Sequence, residues 1–242
     1  MIKLNENYRM KPIEAARQFI NNYFPFCQGA LLAGSVIRGN ATKTSDLDII
    51  VFDSYLASPY RESLIFSGWP VEVFVHNLKS YKELFISDFE CARPTHPQMI
   101  AEGVILVDHG VITPIKIEAK QFLFNGPEPW SEEKIYNKRY FITDALEDLI
   151  GSSDRGEQIC IAGTLADWIH EFVLRTNNQW LGDSKWIIRA LKKYDEHFAA
   201  VFTEAFDSFY KTGNKSKIIT LVDEVLKPHG GRLFHGFSIG KK

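Results

Sequence analysis

Hydrophobic and polar positions follow different patterns in the two halves of the chain. Between residues 29 and 107, short β-like runs are separated by polar segments: ALLAG, LDIIVF, ESLIFSG, VEVFVH and VILV. Runs of this length that are rich in β-branched and aromatic residues predict strands. Helical spacing occurs in IEAARQFINNYF before the first run and in LKSYKELFISDF after the fourth. The segment SGWP predicts a hairpin between the third and fourth strands.

Beyond residue 112 the strand pattern disappears and apolar residues recur at helical spacing. The segments EEKIYNKRYFITDALEDLI, ICIAGTLADWIHEFVLR, KWIIRALKKYDEHFAAVFTEAF and SKIITLVDEVLK each predict helical structure, the first of them beginning after Ser131. Four or more helices of this size make a bundle. We therefore predict an α+β fold, with a domain of mixed sheet and helices at 1–111 and an all-α bundle at 112–242.

Three other segments are less regular. FNGPEPW, residues 124–130, is a predicted hinge because glycine and two prolines cluster there, and a helix at 115–124 can belong to either side of it. CARPTHPQMIAEG is predicted as a loop leading to the last strand, with His96 as a turn residue. The glycine-rich end, PHGGRLFHGFSIGKK, is expected to be disordered.

Composition narrows the class of protein. The 242 residues are 45% hydrophobic and 24% charged, enough for a substantial core, and the net charge of -2 argues against nucleic acid as a partner. Cys27, Cys91 and Cys160 have neither metal-ligand spacing nor a disulfide pattern. The N-terminal stretch lacks the apolar core of a secretory signal, and the longest apolar runs are strand-sized. We expect a cytoplasmic protein without a membrane span.

The first candidate functional residues are two carboxylates in a predicted strand that is otherwise apolar, DLDIIVF, residues 46–52. On a strand, Asp46 and Asp48 project to one face, while Leu47, Ile49 and Val51 face the core. Two like charges on one face repel each other, and a bound divalent ion such as Mg²⁺ removes that cost. The alternative is that both acids lie on a solvated face.

A third acid, Glu72, stands in the apolar strand WPVEVFVHN. If this strand lies beside the aspartate strand, Glu72 completes a cluster of three carboxylates. If it is an edge strand, Glu72 is a single exposed acid.

Upstream, the segment GALLAGSVIRG contains a strand that ends at Gly34 and Ser35. The turn that follows offers backbone N–H groups and a hydroxyl to phosphate oxygens. Together these features predict phosphoryl or nucleotidyl transfer.

The combined pattern GSVIRGNATKTSDLDIIVF…VEVFVH resembles the nucleotidyltransferase superfamily of DNA polymerase β type. The matching residues are Gly34, Ser35, Arg38, Gly39, Ser45, Asp46, Asp48 and Glu72. In layout the chain resembles small members with a C-terminal helical bundle, such as aminoglycoside and lincosamide nucleotidyltransferases. The resemblance implies a short mixed sheet backed by helices, and attack of an acceptor hydroxyl on the α-phosphorus of a nucleoside triphosphate such as ATP.

The resemblance also implies roles for these residues. Asp46 and Asp48 would each bind Mg²⁺, with two ions expected, and Glu72 would bind the catalytic ion and help to activate the hydroxyl. Ser35 and the amide after Gly34 would hold the terminal phosphates.

Four further assignments leave alternatives open. Ser45 would contact phosphate or orient the loop, and Arg38 would bind the nucleotide or tie the loop to an acid. Lys185, in NNQWLGDSKWIIRAL, resembles a lysine that reaches the triphosphate, or is a solvated helix-start residue. The acceptor-side base would be an acid that no motif selects from Asp144, Glu147 and Glu171.

Several functions stay open at this point. The leading hypothesis is transfer of a nucleoside monophosphate, with AMP expected, to a hydroxyl of a small molecule. The alternatives are modification of a protein or RNA partner, as in related antitoxins and RNA-extending enzymes, and a catalytically inactive nucleotide-binding protein. The resemblance also leaves a homodimer open.

Overall fold

The computed structural model describes residues 9–241, and residues 1–8, part of the stretch in which we expect no secretory signal, lie outside the described residues. The chain divides into two compact units, the first ending at Asn125 and the second beginning at Gly126. This division falls inside the predicted hinge, and one helix later than the predicted boundary at 111/112. The reason is that the helix Ile112–Asn125 buries Ile112, Ile115 and Ala119 in a core of the first unit.

The first unit contains the predicted strands. Its elements in chain order are α1 (Pro12–Tyr23), β1 (Gly29–Ala33), β2 (Leu47–Phe52), β3 (Tyr60–Phe66), β4 (Trp69–His76), α2 (Tyr81–Glu90), α3 (Thr95–Glu102), β5 (Val104–Asp108) and α4 (Ile112–Asn125). In the described part of the chain the strands form one sheet in the order β3-β4-β2-β1-β5. β2 and β4 are parallel and the other neighbouring pairs are antiparallel, so the predicted mixed sheet and hairpin are confirmed.

Alternation along β2 and β4 supplies apolar side chains to two cores, one on each face of the sheet. On one face, Leu47, Ile49 and Val51 pack with α1, as predicted from the sequence. On the other face, Ile50 and Phe74 pack with residues of α2, α3 and α4. Asp48 and Glu72 share this second face but lie near the beginning of the β2–β4 pairing, and both are only half-buried.

The prediction of a loop before β5 was wrong, because residues 95–102 form helix α3. Pro94 precedes the helix and Pro97 lies in its first turn, where a missing N–H costs no intrahelical hydrogen bond. The backbone N–H of His96 donates to the Asp88 carboxylate at 2.7 Å, and His96 Nδ1 lies 3.2 Å from Asp88 Oδ2. The start of α3 is therefore stabilised by an acid from α2.

The second unit is helical, as predicted. Its elements are α5 (Glu132–Gly151), α6 (Arg155–Thr176), α7 (Lys185–Tyr194), α8 (Glu196–Thr212), α9 (Ser216–Leu226) and a 3-10 turn (Lys227–His229). The Ser131 hydroxyl accepts from the N–H of Lys134 at 3.2 Å and caps α5. The segment predicted as one run from Lys185 to Phe206 is two helices, because Asp195 ends α7 and caps α8 by accepting from the N–H of Phe198.

The C-terminal segment is ordered against α5, so the expectation of disorder was wrong. The ring of Phe237 stacks on Tyr140 with centroids 3.7 Å apart and planes 7° apart. Arg232 bonds Asp223 and Glu147 at 2.7 Å each. Aromatic stacking and ion pairs thus fix a segment whose composition alone suggests flexibility. Within the described residues, no helix is both long and apolar enough to cross a bilayer.

Candidate active site

The three predicted acids meet where the pairing of β2 with β4 begins. Asp48 and Glu72 are register partners in the parallel β2–β4 pair, so their side chains leave the same face of the sheet as neighbours. β2 begins at Leu47, which places Asp46 immediately before the strand. One ligand oxygen from each of the three carboxylates lies within 4.8 Å of the other two. Of the two placements considered for the Glu72 strand, the structure has the one beside the aspartate strand.

The chemistry of this donor set suits a hard divalent cation. Carboxylate oxygens are the ligands that Mg²⁺ prefers, and the ion usually keeps part of its shell for water or substrate phosphate. All three acids are half-buried, which leaves one side of the cluster open for such ligands. The cluster could therefore hold a divalent metal ion.

Glycine is required at position 34 for two reasons, the backbone conformation there and the closeness of Asp48. Its φ is +81°, a left-handed conformation in which glycine is favoured. A Cβ at this position would lie 1.9 Å from Asp48 Oδ2. The turn after β1 and the first acid of β2 are therefore packed against each other. From the sequence, Gly34 was assigned to the turn and to the binding of the nucleotide's phosphates, and its contact with Asp48 was not predicted.

Two serines organise the loop between β1 and β2. Ser35 Oγ donates to Ser45 Oγ at 3.0 Å, and Ser45 Oγ accepts from the N–H of Thr42 at 2.8 Å. Ser45 is buried, whereas Ser35 is half-buried at the turn. Of the two roles considered for Ser45, loop orientation matches these contacts. Ser35 directly follows Gly34, which packs against Asp48, and the phosphate-binding role of Ser35 stays a prediction.

Arg38 lies in the same turn and forms an ion pair with α3. Its Nε lies 2.7 Å from Glu102 Oε2. This contact matches the alternative in which Arg38 ties the loop to an acid. Its assignment to nucleotide binding stays a prediction.

A residue that the sequence reasoning missed contacts the third acid. Arg61 of β3 lies with Nη2 2.6 Å from Glu72 Oε1, and its guanidinium carbon is 5.0 Å from the centre of the Phe74 ring. The hairpin register pairs Ser63 with Glu72 and Arg61 with Phe74. Counting back from the SGWP turn would have placed Arg61 one diagonal step from Glu72.

The remaining predicted residues belong to the second unit. Lys185 is exposed at the first position of α7. Among the candidate bases, Glu147 pairs with Arg232 at 2.7 Å and Glu171 pairs with Lys138, while Asp144 is exposed on α5. The proposed roles of Lys185 and of these three acids stay predictions.

Comparison with solved structures gives a likeness of fold. The chain is similar to a solved nucleotidyltransferase-like protein from Exiguobacterium sibiricum, at a TM-score of 0.43 and 10% sequence identity, over 94% of this chain and 96% of that chain. No family model matches the chain, and no curated protein matches it. What the site can do chemically therefore follows from its own geometry.

Proposed function

We propose that this protein is a nucleotidyltransferase that moves a nucleoside monophosphate from a nucleoside triphosphate, with ATP as the expected donor, to a hydroxyl of a small molecule. The observation that carries the proposal is the cluster itself. Asp48 and Glu72 face each other across the parallel strands, and Asp46 completes a set of ligand oxygens within 4.8 Å. The Gly34–Ser35 turn packs directly against this cluster.

In this reaction the acceptor oxygen forms a bond to the α-phosphorus, the bond to the bridging oxygen breaks, and pyrophosphate leaves. Asp46, Asp48 and Glu72 would hold two Mg²⁺ ions. Bound Mg²⁺ supplies a Lewis acid that stabilises the charge on the transferring phosphoryl group. The three carboxylates would hold the positive charge of the ions at a defined position relative to the reacting phosphoryl group, which is the basis of electrostatic preorganisation.

The protein's own groups have two further tasks in the proposal. Ser35 and the N–H groups of the turn would bind the terminal phosphates, with Ser45 holding the Ser35 hydroxyl in place. Glu72, which Arg61 contacts at Oε1, would help to activate the acceptor hydroxyl and would accept its proton. The leaving pyrophosphate takes the charge of the broken bond.

The test is release of pyrophosphate by the purified chain with ATP, Mg²⁺ and a panel of amino sugars and lincosamides. Turnover that requires both the acceptor and Mg²⁺, and that disappears in Asp46→Asn, supports the proposal. ³²P from [α-³²P]ATP on a protein or an RNA instead would assign the alternative acceptor class. Binding of ATP without turnover for any acceptor would assign the inactive alternative and overturn transfer.

The cellular setting is part of the same proposal. A triphosphate donor and three free cysteines are compatible with a reducing cytoplasm. The net charge of -2 supports a small acceptor over a nucleic acid, since polyanion binding relies on basic surface.

A further inference from the structure

Arg61 of β3 contacts both the third acid and a neighbouring aromatic ring of β4. It is the register partner of Phe74, and it reaches diagonally along the sheet to Glu72, where Nη2 lies 2.6 Å from Oε1. Its guanidinium also lies over the Phe74 ring at 5.0 Å. Phe74 is itself part of the core, so the ring forms a fixed support for the cation.

We propose that Arg61 is a resident counter-ion of the cluster, which occupies Glu72 while no divalent ion is bound and weakens the binding of that ion. The proposal rests on the proposed function for the identity of the metal site. Arg61 is a positioning residue, since it acts through Glu72.

The physical reason is electrostatic. Three carboxylates with ligand oxygens within 4.8 Å of one another repel each other. The guanidinium of Arg61 offsets part of that repulsion in the empty cluster. A divalent ion bound to the same carboxylates would lie close to this positive charge, and like charges at such short distances repel each other even in water.

The consequence concerns the order of loading. With Arg61 present, the cluster by itself is a weak cation site. The negative oxygens of a triphosphate attract the ion more strongly than the arginine repels it. The ion is therefore expected to bind together with the nucleotide. This coupling would keep the cluster from being filled by free ions in the absence of substrate.

The first unit offers a matched control. Arg9 also lies over an aromatic ring of β4, with its guanidinium carbon 4.6 Å from the centre of the Trp69 ring, and its Nε donates to Gly68 O at 3.0 Å. Arg9 makes the same kind of ring contact with β4 as Arg61, but its hydrogen bond is to the hairpin turn. Arg9→Gln therefore repeats the loss of a ring-stacked arginine without the loss of a contact to Glu72.

The test measures binding of Mn²⁺ to the full chain without nucleotide, by electron paramagnetic resonance of the free ion. Arg61→Gln is expected to lower the dissociation constant for Mn²⁺ about tenfold, which corresponds to about 1.4 kcal/mol. Arg61→Lys, which keeps the charge, and Arg9→Gln are expected to stay within about twofold of wild type. If Arg61→Gln does not fold, Arg61→Met serves as the uncharged variant.

The outcomes separate this proposal from the proposed function. Unchanged or weaker Mn²⁺ binding in the uncharged Arg61 variants overturns the counter-ion proposal alone, provided that wild type binds and Asp48→Asn does not. If neither wild type nor the uncharged Arg61 variants bind Mn²⁺ in a manner that depends on Asp48, the metal site itself is refuted, and both proposals end.

Discussion

Gly34 and Asp48 are packed so closely that a methyl group at position 34 would lie 1.9 Å from Asp48 Oδ2. The loop that leads away from β1 and the acid on β2 are therefore one structural unit. The same glycine has a φ of +81°, so it is required for two separate reasons.

Gly34→Ala is expected to remove Mn²⁺ binding and turnover, because the new methyl group must displace the Asp48 carboxylate. The backbone strain at positive φ adds a loss of about 1–2 kcal/mol in the free energy of unfolding. Gly39→Ala is the control. Gly39 has a φ of +72°, but a Cβ there would meet nothing within 4 Å. It should cost similar stability and keep Mn²⁺ binding, and equal binding by the two variants would contradict this account.

Asp48→Asn is expected to lower turnover on the order of 100-fold or more, because several kcal/mol of charge stabilisation at the phosphoryl group is lost. The melting temperature should be at least as high as that of wild type, since one of three repelling charges is gone. Asp53→Asn, just after β2, is the control and should keep activity. A stable Asp48→Asn protein with full turnover would refute the metal assignment.

Ser45→Ala tests how the loop is held. The change leaves the N–H of Thr42 without its acceptor and frees the Ser35 hydroxyl, so we expect a loss of about 1–2 kcal/mol in stability and a several-fold weaker affinity for ATP. Mn²⁺ binding without nucleotide should not change. Thr44→Ala, an exposed neighbour in the loop, should match wild type in nucleotide titrations. Equal affinity for ATP in Ser45→Ala would remove Ser45 from the nucleotide site.

Buried His76 predicts a dependence of stability on pH. Burial, with a smaller contribution from nearby His96, lowers the pKa of His76 from 6.5 to about 4. The unfolded chain therefore binds a proton that the folded chain does not, and the folded state loses up to about 3 kcal/mol as pH falls from 6.5 to 4. Chemical denaturation at several pH values should show this loss.

The matching variant is His76→Phe, which keeps a ring at the same place and removes the titrating group. Its stability should fall less steeply between pH 6.5 and 4 than that of wild type. His170 and His229 of the second unit also have pKa values lowered by burial, so the difference between the two proteins isolates His76. Parallel curves for the two proteins would show that His76 does not contribute.

The docked C-terminal segment can be tested through its aromatic contacts. Phe237→Ala removes a ring that stacks on Tyr140 at 3.7 Å, and we expect the second unit to lose about 1–2 kcal/mol of stability. Limited proteolysis should then cut the segment sooner. Phe234→Ala, at an exposed ring 6.3 Å from Tyr140, should have a smaller effect. Equal proteolysis rates for wild type and Phe237→Ala would mean that this stacking does not hold the segment.

The acids and the sheet were predictable because their signal is local. Alternation along β2 and β4 fixes which face each residue occupies, and a shift by one residue would bury Asp48 and Glu72. A parallel pairing of the two strands then suffices to bring the carboxylates together.

The errors arose where contacts between distant residues decide the structure. Helix α3 begins between two prolines because Asp88 of α2 accepts from its first turn. The C-terminal segment is ordered by rings on α5, and nothing within the segment predicts them. The Arg61–Glu72 contact depends on a hairpin register, which the sequence contained but the strand-by-strand reading did not use.

The order of strands has a consequence for how the chain acquires its site. β4 lies between β2 and β3, so the chain passes from β2 to the sheet edge and then returns to the middle. The β3–β4 hairpin alone contains Arg61 and Glu72 but neither aspartate. A chain in which β2 and β4 are not yet paired therefore cannot form the full cation site. By mass action, ion binding would stabilise only the states in which these two strands are paired.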